Sequence, residues 1–306
     1  MRINHQPRPA VGDPLEPADV ERALAEWFGR EVVLLGSGRA GIHLWMRAKA
    51  LDRHEHTVLV PPFMSSCVLD TLGRCAFPVL DGAAQMALFY HQFGLLQTAR
   101  PPGMVLEDIC HGFFIPPSND AVFSLPKFFG IRGMAGGIVT QSEETAGRIR
   151  EMRDAAGAPP KEWESIRRGI DDSLPLREAA YALLIYNPQV NPADLAGFPI
   201  DGIADNQKRR RKVVQCLNAT TGSRIRGEPF AFPYFGDDLE EKALELSEVG
   251  IDAGIYRVDI NRDMMNPDYR RCLLLPCHQN VTDNHLEIMG RILNRDKYVQ
   301  RSKVNP

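Results

Sequence analysis

Apolar positions along the chain fall into short runs separated by glycine, proline and polar residues, and their spacing alternates between two periods. Residues 1–16 are polar and proline-rich and read as an arm. Pro17 suits a first helical turn, where its missing N–H costs nothing. From there Val20, Leu24, Trp27 and Phe28 recur at helical spacing and predict a helix that runs to Gly29. Glu31–Leu35 is a compact apolar run ending in Gly36-Ser37-Gly38-Arg39-Ala40-Gly41, and Ile42–Leu51 is again helical in period. The alternation continues with strands at Thr57–Val60 and Phe77–Leu80 around a helix at Phe63–Leu72. Strands follow at Met86–Tyr90, Met104–Leu106, Ala121–Phe123 and Gly137–Val139, then a polar helix from Gln141 to about Ala156. Strands alternating with helices predict an α/β fold with a largely parallel central sheet.

After a break at Gly157-Ala158-Pro159-Pro160 the pattern changes. Residues 161–203 read as helical and irregular, and Asp205–Leu217 as a helix carrying the basic run Lys208-Arg209-Arg210-Arg211-Lys212. Helices at Leu239–Val249 and Thr282–Leu293, with strands near Gly254–Val258 and Arg271–Leu275, make a smaller α+β unit. The predicted organisation is an N-terminal arm and helix (1–28), a large domain (29–160), a helical connecting region (161–204) and a small C-terminal α+β domain (205–306).

Composition narrows the class. Lys and Arg number 36 against 39 Asp and Glu, a net charge of −3, which offers no attractive field to nucleic acid or anionic lipid. Apolar stretches such as Tyr181–Tyr186 are too short to cross a bilayer, and Met1–Pro7 lacks the apolar core of a signal peptide. Six cysteines form no CxxC pair and no metal-ligand spacing, so they read as reduced thiols and no metal is expected. A cytoplasmic enzyme-sized protein is the expectation.

Four local features could carry chemistry, and each has a plainer explanation. Ser37-Gly38-Arg39 opens a helix and suits a phosphate, because free N–H groups and the positive end of the helix dipole meet there. The same glycines fit a simple tight turn. Glu107-Asp108, directly after an apolar strand, lie where open α/β sheets bind ligands, and fit a turn cap equally. Lys127, flanked by Phe123, Leu125, Phe128 and Phe129, is a usable Schiff-base nucleophile if desolvated. It also fits a lysine whose stem lies on apolar surface. The basic run 208–212 is explained by default as a solvated helix face.

Taken in order, these segments resemble the DegT/DnrJ/EryC1/StrS family of sugar aminotransferases, which use pyridoxal 5′-phosphate (PLP) on the fold-type-I scaffold. The resemblance spans most of the chain. Ser37-Gly38-Arg39-Ala40 is similar to the family's phosphate loop, Val58-Leu59-Val60-Pro61-Pro62-Phe63 to its strand and turn, and Phe77-Pro78-Val79-Leu80-Asp81 and Tyr90-His91-Gln92-Phe93-Gly94 to the segments that follow. Leu106-Glu107-Asp108-Ile109-Cys110-His111-Gly112 resembles the acidic strand-end motif, and Phe123-Ser124 through Lys127 to Gly136-Gly137-Ile138-Val139-Thr140 the lysine loop. Gly250-Ile251 and Leu273–Gln279 resemble small-domain signatures. The segments Asp81–His91 and His91–Asp108 are shorter than in the family, so the chain resembles an unusually short member.

The resemblance implies that Lys127 holds PLP as a covalent Schiff base and moves the substrate proton, and that Asp108 pairs with the pyridine nitrogen. It implies that His111, one helical turn on, sits beside the ring. Ser37, Gly38, Arg39 and Ser124 would bind the phosphate, and Ser65, with Met64 and Phe63 as neighbours, would lie at the position that covers the ring, one of the three covering it. The implied activity is transfer of an amino group from glutamate or glutamine to a keto sugar, linked to a nucleotide, in polysaccharide or deoxyamino-sugar synthesis. The implied assembly is a homodimer with its active sites at the interface. The retained Lys127 argues against the family's dehydratases. The alternatives are a degenerate, inactive homologue that binds PLP or a sugar nucleotide, and a plain anion-binding module using Arg39 and the 208–212 run.

Overall fold

The computed structural model describes residues 2–157 and 188–294. Most of the expected connecting region, 161–187, therefore lies outside the described residues. Within them the chain runs α1 (Pro17–Phe28), β1 (Glu31–Leu35), α2 (Gly38–Ala48), β2 (Thr57–Leu59), α3 (Ser66–Gly73) and β3 (Phe77–Val79). It continues with β4 (Met86–Tyr90), β5 (Met104–Asp108), β6 (Asp120–Ser124), β7 (Gly136–Thr140) and α4 (Glu143–Ala155). After the undescribed stretch come α5 (Ile203–Thr221), β8 (Ala231–Tyr234), α6 (Leu239–Glu248), β9 (Gly254–Asp259), β10 (Tyr269–Pro276) and α7 (Asp283–Leu293).

Seven strands form one sheet in the order β1-β7-β6-β5-β4-β2-β3. Neighbours from β6 to β3 pair in parallel, and only β7 runs against the rest, through its antiparallel pairings with β6 and β1. Every residue of β4 and β7 is buried, as expected of strands covered on both faces, which is why they read as unbroken apolar runs. One face packs on α2, α3 and α4 through Trp45, Met46, Leu72 and Ile149. On the other, Val20 and Leu24 of α1 meet Phe113, Phe123, Phe128 and Phe129. The mostly parallel α/β architecture matches the sequence expectation.

A second sheet, β8-β10-β9, is antiparallel and packs against α5, α6 and α7 through Leu217, Phe232, Leu246, Leu273 and Met289. The N-terminal arm joins the two units. Ile3 pairs with Ile251 and is buried in the second core, while the Ala10 N–H donates to the Gly130 carbonyl beside the first sheet.

Three boundaries differ from the periodicity. The helix expected from Ile42 begins at Gly38, because Ser37 Oγ caps it by accepting from the Ala40 N–H (3.1 Å). The glycine-rich turn is thus the helix's own first turn. The helix expected from Phe63 begins at Ser66, since Phe63 has φ +59° and cannot join a right-handed helix. Strand β8 was not expected; its Pro233 lacks a ladder donor, and it sits at a sheet edge where that is tolerated.

Candidate active site

The topology brings the sequence-selected residues to one rim of the large sheet. Tyr90, Asp108 and Ser124 end β4, β5 and β6, and β1 ends at Leu35, two residues before Ser37. Tyr90 and Asp108 are register partners, and Ser124 faces Gly136, which also faces Leu35. In a parallel sheet this is the rim where ligands bind.

At the phosphate-suited end, the helix start is pressed onto the sheet. A Cβ on Gly38 would lie 2.9 Å from Cys110 Sγ and 3.1 Å from the Phe123 carbonyl. A Cβ on Gly136 would lie 2.4 Å from that carbonyl and 2.6 Å from the Gly38 nitrogen. Glycine at both positions lets α2, β6 and β7 converge. Gly38 and Arg39 form the first turn of α2, where the positive end of the helix dipole lies, and Ser124 lies beside them, half-buried, through its pairing with Gly136. This cradle suits an anion.

Asp108 is 2% exposed, and its Oδ1 accepts from the Cys110 N–H at 2.9 Å. The turn after it is closed by Gly112 N–H on the Ile109 carbonyl (2.9 Å), so His111 follows Asp108 through a tight turn and not through the helical turn expected. That ring is held flat between Phe93 and Phe230, at 5.5 and 4.8 Å between centroids, each within 8° of parallel. Burial pushes the imidazole well below its ordinary range, and the Lys127 charge adds to this. Burial also pushes the Tyr90 phenol well above its range, with the Asp108 charge acting in the same direction. Tyr90 Oη is hydrogen-bonded to His111 Nδ1.

Lys127 lies in the loop joining the antiparallel pair β6 and β7. The Leu125 N–H on the Ala135 carbonyl (2.9 Å) closes its base, and the Phe128 and Phe129 N–H groups both turn back to the Leu125 carbonyl. Leu125, Phe128 and Phe129 are buried, whereas Lys127 is half-buried. Its charge acts on both Cys110 and His111. Distant segments clamp the loop: Ala10 bonds Gly130, Asp194 bonds Gly133, and Gln279 Nε2 donates to the Phe128 carbonyl (2.9 Å).

The basic run contributes something the sequence reading did not see. Lys208, Arg209, Arg211 and Lys212 are exposed, as a solvated face requires, but Arg210 is completely buried. Its Nη1 donates to the carbonyls of Pro229 (2.9 Å) and Phe230 (3.3 Å), and Nη2 to that of Lys127 (3.4 Å). Its guanidinium also lies 4.6 Å from the Phe128 ring centroid. One cation therefore ties the lysine loop to the segment whose Phe230 covers His111. Helical spacing with Ile203, Val213, Val214 and Leu217, all buried, was the signal that could have found it. Tyr90 was likewise missed as a site residue, though it ends the strand beside Asp108.

Phe63 and Ser65 lie at the outer side. Ser65 occupies the N-cap position of α3 without a side-chain capping bond and is exposed, with its Oγ 3.1 Å from Cys67 Sγ. Phe63 is exposed, 4.7 Å edge-on from Tyr269, whose hydroxyl donates to the Pro62 carbonyl (2.8 Å). All six cysteines are free thiols. Among the described residues no cluster suits a metal ion, and no helix is long and apolar enough to cross a membrane.

Residues 26–159 match a family model described as "Putative PLP-dependent aminotransferase". No curated protein sequence matches the chain. Many solved structures share its fold, three of them as follows. DesV of S. venezuelae is 16% identical with a TM-score of 0.68, over 91% of this chain and 88% of that one. A DegT/DnrJ/EryC1/StrS aminotransferase of Brucella abortus is 15% identical with a TM-score of 0.66, over 91% and 89%. The ntda protein of Bacillus subtilis, solved with bound cofactor PMP, is 14% identical with a TM-score of 0.59, over 91% and 76%. The resemblance carried by the motifs thus extends to three dimensions: the chain has the fold-type-I architecture of the DegT/DnrJ/EryC1/StrS aminotransferases, and residues 26–159 match a model of PLP-dependent aminotransferases.

Proposed function

We propose that the protein is a PLP-dependent aminotransferase that moves an amino group from glutamate or glutamine to a keto sugar carried on a nucleotide. The observation that carries this reading is the convergence on one sheet rim of a half-buried lysine, a buried carboxylate and a helix-start anion cradle. These residues fit the cofactor. Lys127 would hold it covalently, Asp108 would pair with its ring nitrogen, and Ser37, Gly38, Arg39 and Ser124 would take its phosphate. When bound, PLP supplies an electron sink for the carbanion left by proton removal.

The chain's own groups do the rest. Lys127 Nζ moves the proton leaving the donor's carbon, and the clamped loop holds that amine in register. Asp108, fixed by the Cys110 N–H, presents a carboxylate of set direction. Neutral His111, locked by Tyr90 and two phenyl rings, stands fixed beside the acid without adding a charge. Phe93 and Phe230 exclude water from that side.

The retained Lys127, Asp108 and His111 favour catalysis over an inactive homologue. A homodimer fits the exposed Leu69, Phe77 and Leu80 along α3 and β3, which a second copy would cover. Protein loaded with PLP and offered glutamate or glutamine is expected to lose its visible absorption as the matching 2-oxo acid appears. A spectrum unchanged by every amino acid offered overturns the reading.

A further inference from the structure

A cavity of about 460 Å³ opens between the large sheet's rim and the β9–β10 hairpin. Phe63, Gln92, Phe93, Tyr256, Arg257 and Arg271 line it. Phe93 is shared with the site described above, since its ring lies flat on His111 and edge-on to Tyr256 (5.4 Å). The cavity is therefore contiguous with the catalytic rim. Its frame is anchored. Gln92, itself buried, donates to the Arg257 carbonyl (2.9 Å) and accepts from the Asp259 N–H (3.0 Å), which fixes the edge of β9 against the large sheet.

Three features point to what this cavity takes. Arg257 and Arg271 are direct cross-strand partners, so two like charges stand opposite each other on one face of the hairpin. That arrangement is destabilising by itself. Arg271 reaches Glu240, but Arg257 has no carboxylate partner among the described residues; its guanidinium lies 6.0 Å from the Phe63 ring. Phe63 and Phe93 both hold positive φ, +59° and +52°, which costs free energy in a bulky residue and gathers at ligand-binding walls. Phe63 and Tyr256 remain 60% and 47% exposed, an open aromatic surface beside the two guanidinium groups.

We propose that this cavity is a substrate subsite for an oxyanion, with Arg257 as its principal ligand and Arg271 as its second. The guanidinium fork matches the two-oxygen edge of a carboxylate or a phosphoryl group. Phe63 and Tyr256 offer faces for the flat or apolar part next to it. The anion belongs to a substrate reaching Lys127 past Phe93, so the proposal rests on the aminotransferase reading for the ligand's identity as substrate. The chemistry has two sources, a phosphoryl group of a nucleotide-linked acceptor or a carboxylate of the amino donor.

Calorimetric titration of the full chain with uridine diphosphate, inorganic pyrophosphate and glutarate tests it, in wild type and in Arg257→Gln, Arg271→Gln and Arg270→Gln. Arg270 carries the same charge on the opposite face of the strand and does not line the cavity. Binding of at least one probe is expected, weakened roughly tenfold to a hundredfold by Arg257→Gln, less by Arg271→Gln, and little by Arg270→Gln. Phosphate-bearing probes alone would identify the acceptor as the source, and glutarate alone the donor. No binding by any probe, or equal weakening in all three variants, overturns the proposal. Lys127 labelling by PLP, followed in the same variants, separates the two claims: labelling without anion binding leaves the aminotransferase reading standing and removes this one.

Discussion

Replacing Arg210 with methionine keeps most of the apolar stem and deletes the guanidinium. In the folded protein that group is fully buried and donates to the Pro229, Phe230 and Lys127 carbonyls, with Phe128 beneath it. The Pro229 and Phe230 carbonyls would keep only the weaker Cys277 thiol donor (3.2 and 3.6 Å), so losing their two charge-assisted bonds costs about 1.5–3 kcal/mol each, and the desolvated cation–π contact adds up to ~2 kcal/mol. The opposing effect is relief of a buried charge, a cost of several kcal/mol. That cost is visible in the lowered pKa of the guanidinium, caused by desolvation, and in its Nε, which has no partner. Relief of the buried charge offsets the lost bonds and ring contact only in part, so Arg210→Met is expected to lose about 2–3 kcal/mol. Arg210→Lys should lose a similar amount, because one ammonium cannot span three carbonyls. Urea unfolding at pH 7 measures this as a lower midpoint at unchanged slope. A midpoint equal to or above wild type would refute the reasoning and show that desolvation dominates at this position.

Gly136→Ala is expected to destabilise by more than about 2 kcal/mol, because its Cβ would meet two backbone atoms that cannot rotate away; a thermal melt within a degree or two of wild type would contradict this. His278 is held neutral, with Nε2 on the Asn4 carbonyl (2.8 Å) and Nδ1 receiving the Asn280 N–H (3.2 Å), and burial lowers it to about 3. The unfolded chain therefore takes up this proton first, so stability is full above pH 6.5 and declines as pH falls toward about 3. Between pH 6.5 and 5 this amounts to about 2 kcal/mol, read from urea midpoints. His278→Gln should flatten that slope, and an unaltered slope would show that other groups carry it.

The strands β1, β4 and β7 were legible because burial on both faces leaves unbroken apolar runs, which polar surface cannot imitate. Helix α2 was misplaced at its start because glycine is a poor helix former, while the reason for Gly38 is a neighbour across the sheet that no local pattern records. Strand β8 is four residues with an internal proline, so its signal is no stronger than that of a loop. The lysine and acid at the rim could be selected from order and company, because Lys127 lies among buried phenylalanines and Asp108 ends a strand. Arg210 was hidden by its exposed neighbours: in a run of five cations, only the helical phase tells which one faces inward. The packing of Phe93 and Phe230 about His111 joins residues far apart in sequence and had no local signature.

The central claim is that Lys127 is the residue that binds PLP. Its most direct test is to incubate the protein with PLP, reduce with borohydride and map the modified peptides by mass, with Lys127→Ala as control. A stoichiometric adduct on Lys127, absent from a folded Lys127→Ala variant, is the predicted result. No adduct, or one spread over surface lysines and unaffected by the substitution, would contradict the account.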